Sequence, residues 1–374
     1  MSSSPIPCPL GQLSPTASLV QVLKVVPDPR ARRGIRHALP GIVAAALAAV
    51  VAGARSFAAI GQWAGELSGA QLIELGLSRP TAPDASTFRK VLARLDATTL
   101  DRMVGAFLWT RSRVAGGRRV IAIDGKTVRG ARTATTTAPH LVSAFDHASG
   151  TVLGQLATAA KSNEIPTVRT LLATFDLTGV VVTVDAMHTQ TETATAIIDA
   201  HGDYVFTVKA NQPTLYAACK RLPWREVTDH TSLSTGHGRR VRRTIKVVTA
   251  PTWITFAGAA QVAQIRRTTT RAGKKTVEVV YVITSADHRA APPATLAAWI
   301  QGHWGIENRA HWVRDVTYDE DRSQVRTGNA PQVMATLRNT AISLLRLSGA
   351  TNIAASHRHH ATRTERPITL LLTS

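Results

Sequence analysis

Two short, almost wholly apolar runs, each closed by an aspartate, constrain this chain more than any other feature. Val120-Ile121-Ala122-Ile123 ends at Asp124, and Val180-Val181-Val182-Thr183-Val184 ends at Asp185. A continuous apolar run of this length suits a strand buried on both faces of a sheet. A carboxylate inside such a run would be costly to bury unpaired, so it belongs at a strand's end or opposite a cation. If the two strands are neighbours, the two aspartates can face each other. Taken singly, Asp124-Gly125-Lys126 is also good turn chemistry, and a turn aspartate is the plainer reading.

The flanking pattern sets the fold class. Residues 1–17 read as a disordered tail. From Ser18 to about Arg113 the pattern is helical, with apolar residues at three- and four-residue spacing, as in Phe88, Val91, Leu92 and Leu95. Asp84 and Ser86 are N-cap candidates for that helix, and Val26-Pro27-Asp28-Pro29 marks a break. These helices suit a DNA-binding module or a packing domain equally well. Beyond Gly116, Val120 to Asp124, His140 to Asp146 and Thr151 to Thr158 read as strands. A helix (Ile165 to Phe175), a strand (Val180 to Ala186), a helix (Thr191 to Ala200) and a strand (Tyr204 to Lys209) follow. Three hairpin-like strands and then helix, strand, helix, strand is the order of a ribonuclease-H-like α/β fold, a mixed sheet flanked by helices. The expected domains are 18–115, helical, and 116–350, catalytic, with a β-rich insertion at about 211–286. A basic tail, loose in structure, follows at 351–374.

Charge narrows the class of partner. Lys and Arg number 44 against 24 Asp and Glu, a net +20. Such an excess points to a polyanion, because each cation set against a phosphate releases a condensed counterion. Much of it falls in the insertion, on Arg239, Arg240, Arg242, Arg243, Lys246, Arg266, Arg267, Arg271, Lys274 and Lys275. A surface facing DNA and a solvated charged face are both open readings. Cys8 and Cys219 have no partners at metal-ligand spacing, which argues against zinc fingers and a disulfide framework. No secretory signal is seen. The apolar stretch Leu39 to Ala54 is short of the roughly 18–20 residues of a spanning helix and reads as a buried one. The expected setting is the cytoplasm, at the nucleoid, with no membrane.

A third acid lies in Trp299-Ile300-Gln301-Gly302-His303-Trp304-Gly305-Ile306-Glu307-Asn308. On an α-helix His303, Glu307 and His311 share one face, and Gly302 and Gly305 suggest close packing on the sheet. Glu307 also reads as an ordinary surface glutamate. Carboxylates are the ligands that Mg²⁺ prefers, and paired ions of this kind drive phosphodiester displacement. Neither a nucleophilic Ser or Cys nor a Walker-type phosphate loop is required. Glu320, Asp321, Glu164 and Asp146 are rival acids, better read as turn or salt-bridge residues. Imidazole is a poor Mg²⁺ ligand, so His188, His303 and His311 orient the site or meet DNA. Lys126 reaches a scissile phosphate or closes the turn. Trp304 and Trp312 read as core in preference to base-stacking platforms.

Taken in order, several segments resemble the DDE transposases of bacterial insertion sequences, in the branch of the H-repeat-associated proteins. They are Ala122-Ile123-Asp124-Gly125-Lys126-Thr127-Val128-Arg129-Gly130, His140-Leu141-Val142-Ser143-Ala144-Phe145 and Lys161-Ser162-Asn163-Glu164-Ile165-Pro166. Val184-Asp185-Ala186-Met187-His188-Thr189-Gln190 and Lys209-Ala210-Asn211-Gln212-Pro213 follow, then His303-Trp304-Gly305-Ile306-Glu307-Asn308, His311-Trp312 and Glu320-Asp321-Arg322. The resemblance implies a ribonuclease-H-like core and a catalytic, metal-binding triad of Asp124, Asp185 and Glu307. It implies Mg²⁺, with Mn²⁺ able to substitute and two ions expected. The partners implied are double-stranded DNA (transposon inverted repeats and target) and further copies in a dimeric or larger synaptic complex. Related transposases often carry Tyr, Arg, Glu and Lys around the third acid; here Ile300 and His303 replace the first two, and Arg314 keeps the final cation as a candidate DNA contact. A hydrolysis-only nuclease and a catalytically idle DNA-binding descendant are the alternatives.

Overall fold

The structure, a computed structural model, describes residues 17–33, 35–112, 114, 117–158, 164–236 and 238–374. The expected N-terminal tail up to residue 16, Cys8 and the segment Lys161-Ser162-Asn163 lie outside the described residues. By contacts the chain divides into two units: Met1–Val114 with Asp124–Thr167 and Gly305–Ser374, and Ala115–Ile123 with Val168–Trp304. Strand β1 (Arg119–Thr127) contributes to both.

In the first unit six helices precede the strands: α1 (Leu19–Leu23), α2 (Leu39–Val51), α3 (Phe57–Gly65), α4 (Gly69–Glu74), α5 (Ala85–Leu92) and α6 (Ala97–Arg111). Short polar caps start all of them but α2, which begins with Pro40 in its first turn. Ser18 and Ser68 form capping boxes with Gln21 and Gln71, and the Asp84 carboxylate accepts from the Ser86 amide at 2.7 Å. Each cap satisfies an amide that the helix leaves orphaned. Helix α2, apolar all round, is buried on nearly every side chain and packs against α1, α3, α5, α11 (Ala330–Leu347) and α13 (Glu365–Thr373). That is how a helix without a polar face satisfies its surface in water. Among the described residues no helix is long and apolar enough to cross a membrane. Strands β2 (His140–Asp146) and β3 (Val152–Thr158) pair antiparallel, and the strand order here is β3-β2-β1. Helices α6 and α11 pack on β3. The helical stretch expected as a domain of its own therefore shares one contact unit with these strands and the C-terminal helices.

The C-terminal expectation needs correction. Residues 351–374 are not a loose tail: α12 (Ile353–Ala361) and α13 bury Ile353, His357, Pro367, Ile368 and Leu371. Apolar side chains recurring along α13 give it one face to bury, while Glu365, Thr369 and Thr373 stay exposed.

Two buried polar clusters cross-link this unit. Arg314 and Arg338 both bind Glu320, at 2.6 and 2.9 Å, and all three side chains are enclosed. Burial opposes ionisation of Glu320, but the two guanidiniums outweigh it and hold its pKa down at about 2. Asp101 of α6 accepts from Thr336 Oγ1 (2.6 Å) and Gln332 Nε2 (3.0 Å) of α11. Burial dominates there and pushes its carboxyl up to about 7.

The second unit holds β4 (Val180–Val184), β5 (Asp203–Val208), β6 (Asp229–Gly236), β7 (Arg239–Thr249), β8 (Gln261–Arg271) and β9 (Lys274–Thr284). The order is β1-β4-β5-β9-β8-β7-β6. β1, β4 and β5 run parallel, and the remaining neighbours pair antiparallel. The β-rich insertion therefore extends the sheet rather than forming a separate lobe. The end of β9 pairs with β5, with Val205 opposite Thr284 and Val208 opposite Tyr281. Tyr281–Thr284 is buried and Lys274–Val279 exposed, so the far half of β6–β9 projects as an arm. Along the chain α7 (Glu164–Leu172) precedes β4, α8 (Thr191–Asp199) precedes β5 and α9 (Pro213–Lys220) precedes β6. Helix α10 (Pro293–His303) packs on β4 and β7 over a core of Val120, Val181, Val205, Ala263, Val282 and Leu296. The architecture is the mixed α/β sheet flanked by helices that the element order predicts.

Glu320→Gln leaves two buried guanidiniums without their anion, so it should cost about 3–5 kcal/mol of stability in urea unfolding. Because the folded pKa is depressed, this contribution is complete above the ordinary glutamate range and is lost as pH falls toward 2. Asp101 has the opposite sign: its raised folded pKa makes stability decline as pH rises from about 4 to 7. Asp101→Asn, which mimics the protonated acid, should remove that decline when unfolding midpoints are compared across the window.

Candidate active site

Asp124 stands where the apolar half of β1 ends. Its Oδ1 accepts from the Gly125 amide at 2.9 Å, and its Oδ2 lies 3.3 Å from His311 Nδ1. Behind it runs a buried chain in which Thr127 Oγ1 meets His140 Nδ1 at 2.9 Å and His140 Nε2 meets Glu164 Oε2 at 2.7 Å. Gly125 passes directly over this pair, and a Cβ there would run into both Glu164 Oε1 and His140 Nε2. Glu164 is thus buried and hydrogen-bonded to His140. Asp146 caps the β2–β3 turn by accepting from the Ser149 amide and hydroxyl, at 2.8 and 2.5 Å.

Glu307 opens a segment with unusual backbone. Glu307–His311 and Val313–Thr317 are π-helical, with the Trp312 amide donating to the Glu307 carbonyl and the Tyr318 amide to Val313. Bonding from i to i+5 widens the turn; it is rare, and frequent at functional sites when it occurs. The expectation that His303, Glu307 and His311 share one α-helical face is thereby corrected. Glu307 is exposed and His311 buried against Asp124, while His303 Nδ1 shares a hydrogen bond with Thr183 Oγ1 of β4 at 3.0 Å. The segment is anchored at several points. Gly305 rests on the Phe145 ring, where a Cβ would approach Cε1 to 2.9 Å. Arg309 donates to the carbonyls of His147 and Ser149. Lys126 binds both Asp315 oxygens, at 2.6 and 2.7 Å.

Two expected DNA contacts fail on this geometry. Arg314 is 0% exposed and committed to Glu320, so it cannot present its charge to a phosphate. Lys126 has a 9% exposed side chain closed onto Asp315. Trp304 and Trp312 are corrected in the other direction: they are 52% and 55% exposed rather than core.

Asp185 is exposed at the end of β4 and caps the 3-10 turn Ala186–His188 by accepting from the Met187 amide at 3.0 Å. Two residues that sequence reasoning quoted without a role support this turn. Asn211 Nδ2 donates to Ala186 O at 2.7 Å, and Gln212 Nε2 to Thr189 O at 2.8 Å. In the parallel pairing of β1 and β4, Ile123 is opposite Val184. In each strand the next residue is the aspartate.

Among the described residues no three His, Cys, Asp or Glu side chains are grouped closely enough to hold a metal ion. The chemistry of the donors still suits a hard divalent cation. Asp124 is half-buried, Asp185 and Glu307 are exposed, and all three offer carboxylate oxygen. Gly125→Ala should cost about 1–3 kcal/mol by overpacking the His140–Glu164 pair. Combined with Glu164→Gln it should be less than additive in urea unfolding, because both act on one contact.

The family profile described as "Transposase DDE domain" matches residues 115–344, and the profile "DDE_Tnp_1-associated" matches 20–108. YncI of Escherichia coli O157:H7, named as a candidate transposase, is 32% identical over 346 residues, covering 88% of this chain and 87% of that protein. YhhI of E. coli K12, named as H repeat-associated, is 32% identical over 346 residues, covering 87% of this chain and 90% of that one. The cryo-EM structure of a piggyBac transposase synaptic complex with hairpin DNA aligns at a TM-score of 0.42 and 11% identity, over 92% of this chain and 75% of that one. With its DDE domain matched across more than half its length and its relatives matched nearly end to end, the chain belongs to the DDE transposase family.

Proposed function

We propose that this transposase cuts DNA at the ends of its element and joins the freed 3′-OH to target DNA through Asp124, Asp185 and Glu307. The observation that carries the reading is the register of β1 and β4. Two buried parallel strands pair through Ile123 and Val184, and each yields an aspartate at its next residue. Glu307, the third acid of the family pattern, is exposed on a tethered π-helical turn. In the first step water attacks the phosphodiester phosphorus and the 3′ oxygen leaves, taking up a proton. In the second that 3′-OH attacks a target phosphodiester and expels another 3′ oxygen. Mg²⁺, or Mn²⁺ in its place, as two ions held by the three carboxylates, would supply the positive charge that both displacements need. The protein's own part is to hold the acids still: Gly125 and His311 at Asp124, Asn211 and Gln212 behind Asp185, Arg309 at the Glu307 turn.

DNA engagement is assigned to the arm. On one face Arg239 and Arg243 of β7 stand opposite Arg271 and Arg267 of β8. On the other lie Arg240, Arg242 and Arg266. Like charges directly across a ladder destabilise it. Partial burial, and the nearby Arg267 and Arg239, hold the Arg243 guanidinium below its ordinary pKa. Glu278 offsets part of this repulsion by binding Arg267 at 2.9 Å; phosphates would relieve the rest. Terminal inverted repeats and target duplex are the partners, in a dimeric or larger synaptic complex at the nucleoid.

The test is a joining assay on DNA carrying the element's own ends. Asp185→Asn and Glu307→Gln should each lower cleavage and joining about a hundredfold or more, with duplex affinity retained. Arg243→Glu with Arg267→Glu should weaken duplex binding and lower its salt dependence by about 0.9 per lost phosphate contact. Full joining by either carboxylate variant would remove the triad assignment.

A further inference from the structure

The first unit contains a cavity of about 650 Å³ between the end of α2, the π-helical segment and the start of α12. Its charged lining is cationic throughout: Arg55, Arg346 and Arg358, with no Asp or Glu. Trp312 and Val316, at 55% and 56% exposure, present large apolar surface to it.

The cationic rim is built rather than incidental. Arg346 Nη1 donates to the carbonyls of Ala350 and Thr351, at 2.9 and 2.7 Å, and so fixes the loop where α12 begins. Among the described residues its Nε is buried without a partner. The floor adds no competing charge, because burial, together with Arg55 and His360, holds His357 down at about 4. Its Nε2 is engaged with Tyr318 Oη at 2.9 Å. Asn308, the residue after Glu307, also lines the cavity.

We infer that this cavity binds an unpaired stretch of DNA, one base stacking on Trp312 while its phosphates meet Arg55, Arg346 and Arg358. The volume suits a nucleotide-sized group. A base offers its face to an indole only when it is free of its own stack, and stacking plus a cationic rim is how single strands are held without regard to sequence. The inference rests on the DNA-processing reading above, since the strand entering the cavity would run past the chain position next to Glu307. The arm, a β surface of the second unit, would bind duplex; this pocket would bind the strand separated from it.

The experiment measures fluorescence anisotropy of the full chain with a labelled oligothymidine of about 12 nucleotides, and with a blunt duplex of the element's end. Trp312→Ala, and separately Arg55→Glu with Arg358→Glu, should weaken oligothymidine binding about tenfold or more. Trp312→Phe should recover most of the loss. Melting temperature and blunt-duplex affinity should stay those of the wild type. Wild-type oligothymidine affinity in the variants would overturn the inference. So would a change of oligomeric state in sedimentation with unchanged oligothymidine binding, which would make the cavity a contact between copies. If the wild type joins ends yet these variants bind oligothymidine normally, only the pocket assignment fails. If the wild type binds neither DNA, the DNA-processing reading fails with it.

Discussion

A strand buried on both faces has no place for a carboxylate until its apolar run ends. β1 and β4 meet that condition together, because their parallel register sets Ile123 against Val184 before each chain turns acidic. Everything around the acids is arranged about this constraint. Glycine at 125 lets the chain pass over the His140–Glu164 pair. The Asn211 and Gln212 amides hold the turn that Asp185 caps. The apolar packing of Val120, Val181 and Val205 fixes where the strands lie, and that burial is what keeps short acidic side chains from wandering.

The π-helical run starting at Glu307 meets the same need by other means. An α-helix would return every fourth residue to the same side; widening the turn separates the exposed Glu307 from the buried His311. The Lys126–Asp315 pair and the Arg309 contacts hold this rarer backbone in place. The Arg314–Glu320–Arg338 cluster then anchors its far end inside the helical unit. Removing one partner of such a cluster is costly, because it leaves the other charges buried and uncompensated.

Much of the fold was legible in the sequence. The apolar runs ending at Asp124 and Asp185 and the all-apolar α2 each announce their burial by composition and period. Gly305, read as a close-packing residue, does lie on Phe145. What escaped depends on direction rather than type. Spacing gave Arg314 as a cation seven residues after Glu307, but not that it turns inward to Glu320. It gave Lys126 beside Asp124, but not its distant partner Asp315. Trp304 and Trp312 read as core because their bulk is usually buried, yet the structure leaves both more than half exposed. The C-terminal segment looked loose because its arginines and histidines mask the stripe of Ile353, Ile368 and Leu371 that packs it down.

The proposed triad requires Asp124, Asp185 and Glu307, from separate segments, to serve one cation site. Mn²⁺ titration followed by electron paramagnetic resonance, on the full chain bound to its element's end, tests this without depending on turnover. Saturable Mn²⁺ binding by the wild type that is weakened in Asp124→Asn, Asp185→Asn and Glu307→Gln alike is the result the shared site requires. Binding that all three variants retain at wild-type strength would contradict it.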